Sequence, residues 1–285
     1  MRWPQDAEDW PLVEHSRIIS HKPHDWHVQE TGRGATTLLI HGAGGATQSW
    51  RGLFPLLAET RHVVAVDLPG QGFTRLGARQ RCGLDHMAED LSALCRAESW
   101  NPDVIIGHSA GAAIALRMAE LAEVPPRVVG INAALGHFRG PAGFLFPMVA
   151  KLLSMTPFTA DIFVATSSSG ASVRRLIEGT GSRLDARGIA LYRRLVSDRA
   201  HVDATLAMMA QWSLDGLLSR LGRNPAEVLF LVGDGDRAVP PETSDAAAAR
   251  MPSADIVRMA GLGHLMHEEA PDKVHARITD WLEIE

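Results

Sequence analysis

Short runs rich in branched aliphatic residues recur along the chain at Thr36–Ile40, His62–Val66, Val104–Ile106, Val128–Ile131, Val228–Val232 and Asp255–Met259. Most are apolar at successive positions, as strands buried on both faces are. Between them the apolar period changes to three and four. Leu84, Met87, Leu91 and Leu94 share one helical face. Gln48–Ala58, Ala112–Leu121, Glu242–Arg250 and Lys273–Leu282 also read as helices, the third of these opened by Pro240-Pro241. Residues 17–30 read as a leading hairpin. Buried strands alternating with amphipathic helices predict an α/β fold: a mostly parallel central sheet flanked by helices on both faces. The alternation breaks once. From His137 to Pro225 no buried-strand pattern occurs, and helical patterns run through Trp212. The expected organisation is a core of residues 1–136 and 226–285, with a helical cap, 137–225, inserted between two sheet strands. The Phe-, Leu- and Ile-rich stretch 144–164 reads as the underside of that cap.

The turns that close these strands carry the candidate chemistry. Gly107-His108-Ser109-Ala110-Gly111 lies where the Val104–Ile106 strand becomes the Ala112–Leu121 helix. A G-x-S-x-G in that context predicts a nucleophile elbow, a tight turn that lifts one hydroxyl clear of the backbone. A serine needs a base. His264 sits in a glycine-rich loop, Gly261-Leu262-Gly263-His264, just after the sixth strand. The imidazole needs an orienting carboxylate, and Asp236 follows the fifth strand. Asp236 is preferred over Asp234 because Val239-Pro240 then lead into the next helix. Asp234 is expected to cap the turn. Ser109, Asp236 and His264 therefore stand in the chain order this fold uses for a catalytic triad. His41-Gly42-Ala43-Gly44-Gly45 follows the first parallel strand and lacks the Lys-Ser/Thr of a phosphate loop. Its Ala43 N–H is expected to pair with the Ala110 N–H as an oxyanion hole. His86, His267 and His275 read as surface histidines on helices, and Glu268 and Glu269 as the start of the closing helix.

Bulk composition narrows the class. With 285 residues and 46% hydrophobic content the chain can bury a sizeable core. A net charge of −5 gives no reason to expect nucleic acid or an anionic membrane as partner. No uncharged apolar stretch reaches the ~18 residues of a transmembrane span. The N-terminus lacks the apolar segment of a secretory signal, so the cytoplasm is the expected location. Two cysteines, Cys82 and Cys95, make no disulfide framework and read as buried free thiols. His264, Met266 and His267 offer imidazole and thioether, not the oxygen ligands magnesium prefers, so no metal site and no cofactor are expected.

The elbow, the glycine turn after the first parallel strand and the Asp-then-His order resemble the α/β-hydrolase superfamily over almost the full length. Within it, GHSAGAAIALRMA, FLFPMVAKLL, LIEGTGSRLDARGIALYRRL, MMAQWSLDGL and GLGHLMHEEAP are similar to the magnesium-chelatase accessory proteins (BchO type) of bacteriochlorophyll-making bacteria. The resemblance implies a role near magnesium insertion into protoporphyrin, with chelatase subunits as possible partners and a tetrapyrrole as a possible ligand. Three functions stand side by side. One is a serine hydrolase acting on an ester or similar acyl bond of a mainly apolar small molecule. Another is a non-catalytic accessory protein that binds a tetrapyrrole or the chelatase. The third is a related enzyme such as a carbon–carbon bond hydrolase or a cofactor-free haloperoxidase. The 137–225 segment holds 11 Lys and Arg against 6 Asp and Glu, a local +5 that leaves −10 for the rest. An apolar, basic cap suits a ligand with a greasy ring and carboxylates, although each arginine taken singly reads as a solvated helix face. His108, Trp50, Met208, Met209 and Trp212 are candidates to line the pocket. Trp50 and the three cap residues serve equally well as core.

Overall fold

In a computed structural model of the chain, residues 1–136, Val164 and 169–283 are described. Eight strands form one sheet: β1 Ser16–His21, β2 His24–Thr31, β3 Thr36–Ile40, β4 His62–Val66, β5 Pro102–His108, β6 Arg127–Ile131, β7 Val228–Gly233 and β8 Ala254–Met259. Their order is β1-β2-β4-β3-β5-β6-β7-β8. β1 and β2 form the leading hairpin and join β4 antiparallel. Every other pairing is parallel. All six strands expected from the apolar runs are present, each within two residues of its expected ends.

Alternation along the parallel strands supplies a separate core on each face. Leu38, Ile40, Val64, Val66, Ile105, Val128, Phe230 and Val232 point to one side, under the helices α2 (Leu84–Ala97) and α3 (Ala110–Leu121). Leu39, Val63, Ala65, Val104, Ile106, Val129 and Leu231 point to the other, under α1 (Leu53–Ala58) and the closing helix Pro271–Leu282. The central strands are buried on both faces because both are roofed.

The Gln48–Ala58 helix is two pieces, a 3-10 turn Thr47–Trp50 and α1. Gly52 lies at the break, where an added Cβ would come within 2.9 Å of the Pro271 ring. Close packing of the closing helix divides a segment whose apolar period alone is continuous. Between β6 and β7 the described residues contain four α-helices, Gly170–Gly179, Ala186–Val196, Arg199–Gln211 and Asp215–Arg220, and no strand. The first three begin at Ser169, Asp185 and Asp198, whose side chains accept from the N–H of Ser172, Gly188 and His201. Such caps satisfy a donor that the helix itself leaves free. The 144–164 stretch lies outside the described residues apart from Val164. No described helix is long and apolar enough to cross a membrane.

Phe230 is fully buried on β7, its ring lodged against Gly130, where an added Cβ would sit 2.9 Å from it. Phe230→Ala is expected to lower stability by ~3–5 kcal/mol. The urea midpoint should fall while the slope of the transition stays unchanged.

Candidate active site

β5 ends at His108, and the next residue turns sharply. Ser109 holds φ 53° and ψ −115°, a backbone conformation rare for a residue with a side chain. The two flanking glycines permit the turn. A Cβ on Gly107 would lie 2.4 Å from the Gly111 backbone, and one on Gly111 would lie 2.1 Å from the Ile40 carbonyl oxygen. Helix α3 can therefore lean directly on β5 and β3. The Ser109 carbonyl accepts from the Ala112 and Ala134 N–H groups, and its own N–H donates to the Ile131 carbonyl. Its side chain forms no cap on α3, and among the described residues the hydroxyl has no hydrogen-bond partner.

The expected base and acid meet. His264 Nδ1 lies 2.8 Å from Asp236 Oδ2, and both residues are buried. A carboxylate only accepts, so Nδ1 carries a proton, and in the neutral ring the lone pair is on Nε2. The other Asp236 oxygen accepts from the Ala238 and Val239 N–H groups, which fixes the carboxylate in its turn. Asp234 points away, half-exposed, toward Arg258 at 3.8 Å.

The glycine-rich turn after β3 packs on the elbow. A Cβ on Gly42 would come within 3.0 Å of the Ser109 Cβ and 2.8 Å of His108 Nδ1. His41 fixes this turn from beneath. Its Nε2 accepts from the Leu68 N–H, so its Nδ1–H donates to the Gly42 carbonyl at 2.7 Å. Burial pushes the His41 pKa down, in keeping with the neutral ring these roles require. Across a trans peptide the N–H points opposite to the carbonyl. With the Gly42 carbonyl turned down onto His41, the Ala43 N–H faces the other way, and Ala43 is exposed at the rim. The Ala110 N–H opens α3 without a side-chain cap. From above, His201 on the helix Arg199–Gln211 accepts from the Gly72 N–H and donates to the Gly44 carbonyl. Burial depresses its pKa to about 4, so it stays neutral.

A model of the alpha/beta hydrolase family matches residues 37–277. The chain belongs to that family. It is 45% identical over 277 residues to the magnesium-chelatase 30 kDa subunit of Rhodobacter capsulatus, covering 96% of this chain and 97% of that one. It is 30% identical over 232 residues to the pimeloyl-(acyl-carrier protein) methyl ester esterase of Methylococcus capsulatus, covering 78% of this chain and 84% of the esterase. The fold matches the crystal structure of an alpha/beta hydrolase fold protein from Burkholderia ambifaria, with TM-score 0.78 at 22% identity over 94% of this chain and 98% of that one.

The structure also places the remaining candidate side chains of this alpha/beta hydrolase. Trp50 is fully buried, its ring 4.7 Å from that of His267, so it is a core residue beneath the site. Met208 is also core, its sulfur accepting from Gln71 Nε2. Met209 and Trp212 are half-buried, and Trp212 packs on the α2/α3 core. His108 is buried between His264 and His267, with ring centroids 4.7 and 4.5 Å away. Its Nε2–H donates to the His264 carbonyl at 2.9 Å. His267 is no surface histidine: it is fully buried, and burial with neighbouring His264 and Arg51 drives its pKa to about 3. Glu268 and Glu269 belong to a separate short helix, Met266–Glu269, and not to the closing one. Among the described residues no group of three His, Cys, Asp or Glu could hold a metal ion.

The residue that sequence reasoning missed is Asn132. It follows β6 at φ 46°, a conformation asparagine tolerates better than most residues. Its amide donates to the Gly263 and His264 carbonyls at 2.9 Å each, and its oxygen accepts from the Gly233 N–H at 2.8 Å. One buried amide thus ties the end of β7 to the loop that carries His264. The available signal was an Asn directly after an apolar strand, which also fits an ordinary turn.

Asp236→Asn leaves His264 Nδ1–H without its anionic partner, whereas Asp234→Asn changes an exposed pair. Hydrolysis of a model p-nitrophenyl ester should fall on the order of 10³–10⁴-fold in kcat for Asp236→Asn. For Asp234→Asn it should stay within about twofold. Equal effects would exclude Asp236 as the orienting acid.

Proposed function

We propose that the chain is a serine hydrolase acting on an ester or similar acyl bond of a mainly apolar substrate. The observation that carries this reading is the buried 2.8 Å pair between His264 and Asp236, together with a serine held in a strained elbow. Ser109 Oγ attacks the acyl carbon as its proton passes to His264 Nε2. Asp236 stabilises the imidazolium so formed. The carbonyl oxygen becomes an oxyanion between the Ala43 and Ala110 N–H groups, and one such donor is worth ~2.7–4 kcal/mol in the transition state. Collapse breaks the bond to the leaving alcohol, which takes the proton from His264. Water then attacks the acyl-serine, with His264 again the base, and the acid leaves as Ser109 recovers its proton. The core of residues 1–136 and 226–285 supplies these groups, and helices of the described part of the insertion, 169–225, lie against their loops. Similarity to a methyl ester esterase supports the acyl chemistry.

A serine-directed fluorophosphonate should label the wild type on Ser109 and leave Ser109→Ala unlabelled, read by intact-protein and peptide mass spectrometry. A wild type that resists labelling would count against a working triad.

The 45% identity to a magnesium-chelatase subunit supports a second element: the ligand is a tetrapyrrole, and the protein works beside the chelatase. A porphyrin presents a large apolar ring, whose burial contributes ~25 cal/mol per Å² before association costs. Its propionates suit a cap of net +5. Exposed charge pairs contribute only ~0–1 kcal/mol, so a clear preference for the acid requires an arginine at the pocket mouth. In fluorescence titrations a dicarboxylic porphyrin should bind more tightly than its dimethyl ester, with the difference shrinking as salt is raised. Equal affinities would remove the charge argument.

A further inference from the structure

Resting on the hydrolase reading, we propose that the turn Thr180–Arg183 of the insertion, through Ser182 and its partner Glu269, is a positioning element that holds His264 against Asp236. The turn joins the inserted helices Gly170–Gly179 and Ala186–Val196. It lies against the acid loop and the base loop together. The Thr180 carbonyl accepts from the Arg237 N–H, one residue after the acid, and from the His264 N–H itself, at 3.0 and 3.4 Å. A Cβ on Gly181 would lie 1.9 Å from the Gly235 carbonyl oxygen, and one on Gly263 would lie 2.4 Å from the Gly181 backbone. Three strips of main chain touch with no side chain between them. Gly181 is held at φ +87°, so the turn needs a glycine for conformation as well as for space.

Ser182 and Glu269 close this contact. Ser182 is fully buried, and its hydroxyl accepts from the Leu265 N–H at 2.7 Å while donating to Glu269 Oε2 at 3.2 Å. Glu269 Oε2 also accepts from the Gly263 N–H at 2.8 Å, and Oε1 from the Arg183 N–H at 2.7 Å. The residues on both sides of His264 are therefore bonded to one serine–carboxylate pair. The neighbouring Glu268 adds a second tie. Its fully buried carboxylate pairs with Arg51 and accepts from Tyr192 Oη on the helix Ala186–Val196. On its other side His264 meets Asp236, His108 and, beyond that ring, His267. The base thus occupies a socket with one wall from the sheet core and one from the insertion. Its alignment depends on the inserted helices being seated.

The dependence is local, so it can be broken without dismantling the fold. Both Glu269 oxygens accept, and an amide has only one acceptor oxygen, so Glu269→Gln sets an N–H against an N–H or O–H donor. Ser182→Ala, the milder variant, leaves the Leu265 N–H without its acceptor. Arg220→Ala serves as the control. It removes the contact of Arg220 with Glu120 on α3, which joins the insertion to the core elsewhere. Folding is checked by circular dichroism. Two readouts are taken: the pH dependence of fluorophosphonate labelling at Ser109, and the NMR titration of His264, assigned by its loss in His264→Gln. Glu269→Gln and Ser182→Ala are expected to slow labelling by up to about 10²-fold, the scale of a ~1 Å misplacement. They should also change the His264 titration curve from that of the wild type, because the ring moves off Asp236. Arg220→Ala should change neither. Unaltered labelling and an unaltered His264 midpoint in both clasp variants would overturn the proposal, as would an equal effect of Arg220→Ala. If the wild type does not label at all, the hydrolase reading falls, and the His264 midpoints alone decide whether the clasp positions the ring.

Discussion

The main chain at Ser109 is the constraint on which the rest of the site depends. A φ of 53° with ψ −115° costs ~1–3 kcal/mol for a residue bearing a side chain. It persists because neighbouring contacts leave little alternative. β5 delivers the chain from the centre of the sheet, and α3 must start at once to pack on β5 and β3. The Ser109 N–H and carbonyl are already committed to Ile131, Ala112 and Ala134. Glycines at 107 and 111 remove the two side chains that would force the helix away. The same turn that lifts the hydroxyl leaves a helix N-terminus without a side-chain cap, so the candidate nucleophile and one candidate oxyanion donor arise from one backbone event.

Around that turn, neutral buried histidines do structural work that charge would spoil. His41 holds the glycine turn, His201 holds it from the insertion, and His108 donates to the His264 carbonyl. Burial pushes the pKa of each down. Each role uses a neutral ring, with a donor on one nitrogen at most. Set against them is the buried carboxylate of Asp236, which faces His264. His264 is the member of the His264–His108–His267 stack with a carboxylate partner.

Much of this architecture follows from order along the chain. Runs apolar at successive positions mark strands roofed on both faces, and they end where the sheet presents its loops. The turns at Ser109, Asp236 and His264 therefore fall at the same end of the sheet, after β5, β7 and β8, and glycines beside them signal backbones in close approach. Such signals are local: period, turn chemistry and spacing act within about ten residues. They marked the hairpin, the parallel strands and the candidate triad, and they favoured Asp236 over Asp234 through the residues that follow it.

What local pattern cannot carry is which distant group satisfies a buried polar atom. His267 and Glu268 have the periodicity of an exposed helix face, yet packing against Trp50 and pairing with Arg51 and Tyr192 bury them. Trp50 and Met208 suit a pocket wall or a core equally well in sequence, and the closeness of their neighbours made them core. Asn132, Ser182 and Glu269 are ordinary turn and helix residues until folding brings Gly233, Gly263 and Leu265 within 3 Å of their side chains. The sequence by itself determined the sheet, its helices and the order of the candidate nucleophile, acid and base. Tertiary structure decided how those three are held, because a hydrogen bond across more than eighty residues depends on where two loops meet and on no pattern within either.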